Sequence, residues 1–157
     1  MLVLGIDPGI ARCGWGVIDR VGQRFTCIEY GCFETPKGMD DGERLALVGQ
    51  GLSEVLKRFA VERVGLEKLF FSKNVTTAFQ VGQARGVIVM VLHQAGLKPI
   101  ECTPNEVKSA VAGYGAADKK QVQKMVCLSL KLDKIPEPDD AADALAVAIT
   151  VSGQQLY

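Results

Sequence analysis

Two acidic residues in this sequence each follow a short apolar segment directly, which is typical of side chains at the edge of a β-sheet. Asp7 follows residues 2–6 and precedes a Pro8-Gly9 turn, and Glu67 follows residues 64–66. The carboxyl ends of strands in open α/β sheets commonly carry functional groups. A buried carboxylate is costly unless it is paired, hydrogen-bonded or bound to a cation. Taken alone, Asp7 is explained equally well as a residue that starts the Pro-Gly turn.

Two further carboxylates lie in the last predicted helix. Asp140 and Asp143 are three residues apart, which places both on one face of a helix. Helix capping and dipole matching in a first turn would also explain Asp139 and Asp140. They explain Asp143 less well, because the small and apolar residues around it indicate a helix that packs against a sheet. Taken together, four carboxylates favour a metal site, namely Asp7, Glu67, Asp140 and Asp143.

The residue types available indicate which metal this site would hold. The chain has one histidine, His93, and five scattered cysteines without a CxxC pair, so a zinc site of the usual kind is not expected. Carboxylate oxygens suit Mg²⁺ or Mn²⁺. Two such ions about 3.5–4 Å apart can activate a water molecule and stabilise the leaving oxygen at one phosphate. The carboxylates therefore predict metal-ion chemistry at a phosphate.

Length and charge limit the class of protein. The 157 residues suffice for one domain with a sizeable core, so we predict a single domain over residues 1–157. Eighteen basic and 18 acidic residues give a net charge of zero, which argues against a generally basic nucleic-acid-binding protein but allows a basic face. Residues 98–134 carry seven lysines against four acids. This segment is the best candidate for such a face.

The compartment is predicted from the cysteines and from the first residues. Scattered cysteines fit a reduced, cytoplasmic protein. Met1 leads straight into a predicted core strand, so no signal peptide is expected. No apolar run reaches the length needed to span a membrane, which predicts no membrane partner.

Hydrophobic periodicity and turn residues predict the order of the secondary structure. Three strands joined by tight connections predict an antiparallel meander. Two strands that alternate with helices follow, and three helices come last. The predicted strands are residues 2–7, 13–19, 25–33, 64–67 and 98–101, and the predicted helices are about 42–59, 75–95, 104–113, 118–132 and from 139 onward. This order predicts an α/β, ribonuclease-H-like fold: a five-stranded mixed sheet (antiparallel meander plus parallel strands) flanked by helices.

Five short motifs carry a resemblance to a known family. They are Gly5-Ile6-Asp7-Pro8-Gly9, Glu67 with Phe70 and Lys73-Asn74, the Gly-Gln-Ala-Arg-Gly at 82–86, Val107-Lys108, and the Asp-Ala-Ala-Asp-Ala-Leu-Ala at 140–146. Each is weak alone, and the first also opens actin-like ATPases. In this order and spacing, over nearly the whole chain, they resemble the RuvC family of Holliday-junction resolvases.

The resemblance implies a homodimeric endonuclease that nicks two opposed strands of a four-way DNA junction, in recombination and repair. It implies two Mg²⁺ or Mn²⁺ ions per active site, held by the four carboxylates as catalytic residues, and a branch-migration motor complex as partner. It also implies DNA contacts: Phe70 stacks on a base, and Lys108 and Lys119 contact phosphates. Asp139, directly before the family's acidic motif, is a departure from the pattern, and we expect it to be a helix cap or an outer-shell group.

Other interpretations of these DNA-contact residues remain open at the level of sequence. From the residues alone, one of Phe70 and Phe71 belongs to the core, and only the resemblance selects Phe70 as the stacking residue. Lys108 and Lys119 could simply lie on solvated helix faces, although their grouping near the acidic helix favours a phosphate track.

Two other functions are also compatible with single features. An actin-like phosphotransferase shares the first motif, but it needs a second lobe that 157 residues do not provide. A ribonuclease-H-like protein could instead act on RNA or only bind nucleic acid. Four carboxylates argue against a purely binding role.

The helix predicted at 75–95 offers a surface for a homodimer. Residues 87–92 are apolar on every side of that helix, and one small sheet can cover only one side. Gly82 and Gly86 lie on one face and would let a second helix approach closely. The alternative is that the later helices cover this face within one subunit.

Overall fold

The protein is described by a computed structural model in which residues 1–68 and 75–154 are placed. The strands are β1 (Leu2–Asp7), β2 (Arg12–Val21), β3 (Arg24–Glu34), β4 (Arg63–Glu67) and β5 (Ile100–Cys102). The helices are α1 (Asp41–Arg58), α2 (Val75–Gln94), α3 (Pro104–Ala112), α4 (Lys119–Ser129) and α5 (Asp139–Ser152). The predicted elements are all present. β5 begins two residues later than predicted, at Ile100, because Pro99 has no N–H to donate to a ladder.

The strands form one mixed sheet in the order β3-β2-β1-β4-β5. β1 pairs antiparallel with β2, and β2 pairs antiparallel with β3, which is the predicted meander. β4 runs parallel to both β1 and β5. The predicted ribonuclease-H-like fold is confirmed, and the carboxyl ends of β1 and β4 meet at one edge of the sheet.

The sheet separates two cores. On one face Leu4, Ile6 and Val17 pack with residues of α1 and α2. On the other face Val3 and Ile18 pack with α5, and α3 and α4 complete that layer. Alternate residues of β1 therefore enter opposite cores, which explains its continuous apolar sequence.

α5 approaches β1 and β2 so closely that the strands need glycine. A Cβ added at Gly5 would lie 2.0 Å from the Ala144 carbonyl oxygen, and one added at Gly14 would lie 2.0 Å from the Asp140 carbonyl oxygen. The helix supplies small residues at this contact, including the fully buried Ala144 and Ala148. Backbone thus packs directly on backbone, and the contact sets how far the helix stands from the sheet.

Two arginines from the sheet hold the C-terminal end of α5. Arg63 Nη1 donates to the carbonyl oxygens of Val151, at 2.9 Å, and Gln154, at 2.8 Å. Arg20 donates to the carbonyl oxygen of Ser152. The last carbonyls of a helix lack the i+4 donors of its interior, so the positive side chains supplement their hydrogen bonding and oppose the negative end of the helix dipole.

The N-terminus of α3 is capped as its sequence predicts. The Glu106 N–H donates to Thr103 Oγ1 at 3.2 Å, and the Thr103 N–H donates to Glu106 Oε2 at 2.6 Å, with Pro104 at the first helical position. Elsewhere Trp15, whose role the sequence left unassigned, is buried and stacks on Phe33 with ring centroids 5.9 Å apart. All five cysteines are free.

One face of α2 is apolar and exposed. Phe79 is 66% exposed and Met90 52%. A Cβ added at Gly82 or Gly86 would meet no atom within 4 Å among the described residues. The alternative that later helices cover this face within one subunit is therefore wrong for the described chain.

By length and composition alone, α2 could cross a membrane. Its mean hydropathy is 1.3 over an 18-residue window, of which 22% is buried. The sequence prediction that no segment has spanning length is thus too strong. The buried face of α2 packs against α1 and the sheet through Ile88 and Leu92.

We expect Gly5→Ala to lower the free energy of unfolding by about 3 kcal/mol or more, because the new methyl group must push the α5 backbone off β1. Urea unfolding measures the change. Gly153→Ala is the matched control: its Cβ would sit 3.7 Å from the Thr150 carbonyl oxygen, an ordinary contact, and its cost should stay within about 0.5 kcal/mol. Equal stability of wild type and Gly5→Ala would show that the helix can shift at no cost.

Candidate active site

The four predicted acidic residues converge at one edge of the sheet. Asp7 and Glu67 end two adjacent parallel strands, paired as far as Ile6 opposite Leu66. Asp7 also lies opposite Gly14 of β2, and it is Gly14 that contacts the backbone of Asp140. The first turns of α5 therefore stand directly over the two strand ends. Asp143 completes the cluster, since its charge acts on both Asp7 and Glu67.

The cluster has an excess of negative charge. Burial, followed by repulsion from Glu67 and Asp143, raises the pKa of Asp7 to about 9. Burial also raises the pKa of Glu67 and of Asp143, although Lys119 partly offsets both shifts. In residues 1–68 and 75–154, neither Asp7 nor Glu67 forms an ion pair with a basic side chain. Simultaneous charge on the two innermost carboxylates, Asp7 and Glu67, is therefore disfavoured in the protein alone.

Lys119 provides a positive charge at one side of this cluster. Its Nζ lies 2.9 Å from Asp143 Oδ2 and 2.6 Å from Asp139 Oδ2. Although burial opposes it, hydrogen bonding to these two carboxylates raises the pKa of Lys119. The position of Lys119 is set by α4, where the Asp118 carboxylate accepts from the Gln121 N–H at 2.9 Å and caps the helix. Lys119 is the first residue after this cap.

Asp139 has a different role from the predicted helix cap. The N-cap of α5 is Pro138, and no side chain caps that helix end. The Asp139 carboxylate faces Lys119 instead, and this hydrogen bond lowers its pKa. The cap prediction is wrong because Asp139 already lies within the first helical turn. The other role predicted for Asp139, an outer-shell group of the metal site, agrees with this geometry.

The other side of the cluster carries an arginine that the sequence analysis missed. Arg12 Nη1 lies 3.8 Å from Asp140 Oδ2, and Arg12 Nε lies 4.0 Å from Glu34 Oε1. Arg12 opens β2, which runs antiparallel to β1, so its position at the same sheet edge as Asp7 follows from the meander. The predicted pairing of β1 with β2 was therefore the signal from which the position of Arg12 could have been found.

The predicted DNA contacts differ in how far the structure describes them. Lys108, on α3, lines a pocket of about 160 Å³ with Glu67, Lys119 and Asp143. Phe70 and Phe71 lie outside the described residues. Tyr114, unassigned from sequence, donates a hydrogen bond from its hydroxyl to Gln121 Oε1 at 2.8 Å. Both predicted phosphate contacts, Lys108 and Lys119, are therefore beside the carboxylates.

The donor set fits a hard divalent cation. The side chains that converge offer only carboxylate oxygens, which Mg²⁺ and Mn²⁺ prefer. Within the described ranges, no three acidic, histidine or cysteine side chains are already closed around one point. Lys119 and Arg12 each engage one of the aspartates instead. Burial, together with repulsion from Glu67 and Asp143, raises the pKa of Asp7 and so disfavours its charge, which a bound cation would favour.

Comparison with known proteins agrees with this arrangement. The family model for crossover junction endodeoxyribonuclease RuvC matches residues 3–151. The RuvC of Brevibacillus brevis is 49% identical over 150 residues, which cover 96% of this chain and 90% of that protein. The RuvC of Chloroflexus aggregans is 52% identical over 149 residues, covering 95% and 91%.

The fold of this chain also matches that of a solved structure. T. thermophilus RuvC in complex with a Holliday junction substrate aligns with a TM-score of 0.92 and 35% sequence identity, covering 97% of this chain and 93% of that one. Sequence and structure thus agree over almost the whole length of the chain. This chain therefore belongs to the RuvC family of crossover junction endodeoxyribonucleases.

Proposed function

We propose that the chain, acting over residues 1–157 as one nuclease domain, resolves four-way DNA junctions in recombination and repair by two symmetric nicks. Its family consists of crossover junction endodeoxyribonucleases, and its relative from T. thermophilus binds a Holliday junction. The observation that carries the proposal is the convergence of carboxylates from β1, β4 and α5 at one sheet edge. A protein that only binds DNA has no use for this costly cluster.

Asp7, Glu67, Asp140 and Asp143 are the proposed ligands of two Mg²⁺ or Mn²⁺ ions. When bound, these ions would activate a water molecule and stabilise the leaving oxygen of the phosphodiester. The protein supplies a fixed geometry, since every ligand is anchored in β1, β4 or the first turns of α5. Lys119 pairs with Asp143 and Arg12 with Asp140, so two of the four carboxylates have a basic partner before a cation binds.

The lysines on the other elements serve DNA binding in this proposal. Lys108 and Lys119 contact backbone phosphates from the pocket that they share with Glu67 and Asp143. Phe70 stacks on an unpaired base near the junction, worth about 1–3 kcal/mol. The branch-migration motor complex is the partner that the resemblance implies, and the cytoplasm is the location that the scattered cysteines favour.

Asp7→Asn and Asp143→Asn should each lower single-turnover cleavage of a four-way junction in Mg²⁺ by about a thousandfold or more. Junction affinity should stay within about tenfold, because these residues hold metal rather than DNA. Asp133→Asn, an exposed carboxylate change outside the cluster, is the matched control.

A linear duplex and a structured RNA of the same length test the substrate class. The proposal expects neither to be cleaved at the rate of the junction. Equal cleavage of RNA and junction would favour the ribonuclease alternative, and near-wild-type cleavage by either variant would remove that residue from the site.

Asp139→Ala is expected to reduce stability by less than about 1 kcal/mol, since the pair with Lys119 is half-exposed at both ends. Without Asp139, Lys119 pairs with Asp143 alone and competes better with a cation there. The Mg²⁺ concentration for half-maximal cleavage should therefore rise about threefold, while the maximal rate changes little. A titration of cleavage rate against Mg²⁺ measures both quantities. A loss of maximal rate as large as that of Asp140→Ala would mean that Asp139 itself is a ligand.

We propose α2 as the surface of a homodimer. Its exposed face is a stripe with alternating spacings of four and three residues, which is the pattern of a helix–helix seam. The stripe consists of Val75, Phe79, Gly82, Gly86 and Val89. The two glycines have open space above them, so a second helix could approach closely. Two nicks on a two-fold junction require two active sites related by a two-fold axis, which such a dimer supplies.

Gly86→Arg places a charged side chain in the middle of this stripe and should split the dimer. Sedimentation at micromolar concentration should give about 34 kDa for the wild type, twice the 16.9 kDa chain, and the monomer mass for the variant. Gln23→Arg, an exposed change in the β2–β3 hairpin, is the control and should stay dimeric. Paired incision by a wild type that is monomeric at tens of micromolar would refute the dimer.

A further inference from the structure

A second groove opens beside the carboxylates, on the side away from Lys119. Its volume is about 660 Å³. Asp140 is one of its lining residues, so the groove reaches the proposed metal site. Arg12 and Lys37 also line it, and Gln80 lines it from the first turns of α2. No role has been assigned to this groove so far.

The wall that carries Arg12 is rigid. The Thr35 N–H donates to the Ala11 carbonyl oxygen at 3.1 Å, and Thr35 Oγ1 donates to the Ile10 carbonyl oxygen at 2.6 Å. Arg44 Nε donates a hydrogen bond of 2.9 Å to the oxygen of the same Thr35 hydroxyl. Two bonds thus tie the turn before β2 to the end of β3.

The turn itself is tightly packed against Arg12. A Cβ at Gly9 would lie 2.0 Å from the Arg12 carbonyl oxygen, so the turn can form only with glycine there. The backbone of Arg12 is therefore fixed before any ligand binds.

The side chain of Arg12, in contrast, keeps its donors available. It is 53% exposed, and its distances of 3.8 Å to Asp140 and 4.0 Å to Glu34 are too long for hydrogen bonds. Within the described ranges, neither Arg12 nor Lys37 donates a side-chain hydrogen bond. Arg12 is thus held by charge and remains free to form a bidentate contact.

The charge of the groove changes when the site is loaded. Arg12 and Lys37 are balanced by Glu34 and Asp140 in the protein alone. Once a cation neutralises Asp140, two positive side chains face one negative one. The groove then favours an anion, at the same moment as the carboxylate site becomes competent.

We infer that this groove holds the backbone of the cleaved DNA strand next to the scissile phosphate, with Arg12 contacting the adjacent phosphate. The inference rests on the proposed nuclease function. A strand that crosses the carboxylates must continue on both sides of them. The pocket of Lys108 and Lys119 takes one side, and the groove of Arg12 and Lys37 provides a basic path on the other.

The test combines Arg12→Gln with junctions that carry a neutral methylphosphonate at one of the phosphates flanking the scissile one. On unmodified junction, Arg12→Gln should slow single-turnover cleavage about tenfold to a hundredfold at subsaturating enzyme. Arg24→Gln removes one charge at the opposite end of the sheet and should change the rate less than about twofold. At one flanking position the methylphosphonate should slow the wild type to the rate of Arg12→Gln and slow the variant no further.

The other outcomes contradict the inference. If the rate reductions caused by Arg12→Gln and by the methylphosphonate multiply at every flanking position, Arg12 contacts none of those phosphates. If Arg12→Gln instead raises the Mg²⁺ midpoint and is rescued by excess Mg²⁺, Arg12 only positions Asp140. Arg12→Lys, which keeps the charge, should recover part of the rate if a phosphate is the partner, and none if the variant had simply lost its fold. A wild type that cleaves no junction overturns the proposed function, and this inference with it. An active wild type in which the effects of Arg12→Gln and the methylphosphonate multiply overturns this inference alone.

Discussion

The backbone contact between α5 and the sheet is the constraint on which the site depends. Gly5 and Gly14 leave no side chain between the strands and the helix, and Ala144 and Ala148 face them from α5. This distance brings the first turns of the helix over the ends of β1 and β4. Larger residues at the contact would move the helix away from the sheet and separate Asp140 and Asp143 from Asp7. The same small residues that build the core therefore set the spacing of the four carboxylates.

The cluster built in this way is unfavourable by itself. Burial and mutual repulsion disfavour charge on Asp7 and Glu67, and the pKa values of both are raised as a result. Two basic side chains limit the cost from opposite sides, Lys119 at Asp143 and Arg12 at Asp140. The surrounding helices and strands provide the stability that the cluster itself lacks. Such a local conflict between stability and arrangement is typical of a functional site.

Most of the fold could be predicted from sequence, because the apolar periodicity and the Gly and Pro positions of each element are local signals. The positions of Asp7 and Glu67 followed from where two strands end, and the pairing of those strands brought them together. The role of Asp139 could not be predicted in this way. Its partner Lys119 lies 20 residues away on another helix, and only tertiary packing decides whether the carboxylate caps or pairs.

Arg12 was missed for a related reason: a basic residue at the start of a strand has no distinguishing pattern until the meander is folded.

The contact between β1 and α5 also has a consequence for the order of events during synthesis. β1 is the first strand of the chain and α5 its last described helix, yet their backbones pack directly on each other. While the chain is still on the ribosome, the sheet face that receives α5 stays uncovered, and Asp140 and Asp143 have not yet emerged. The core and the carboxylate cluster are therefore completed by the same segment of the chain.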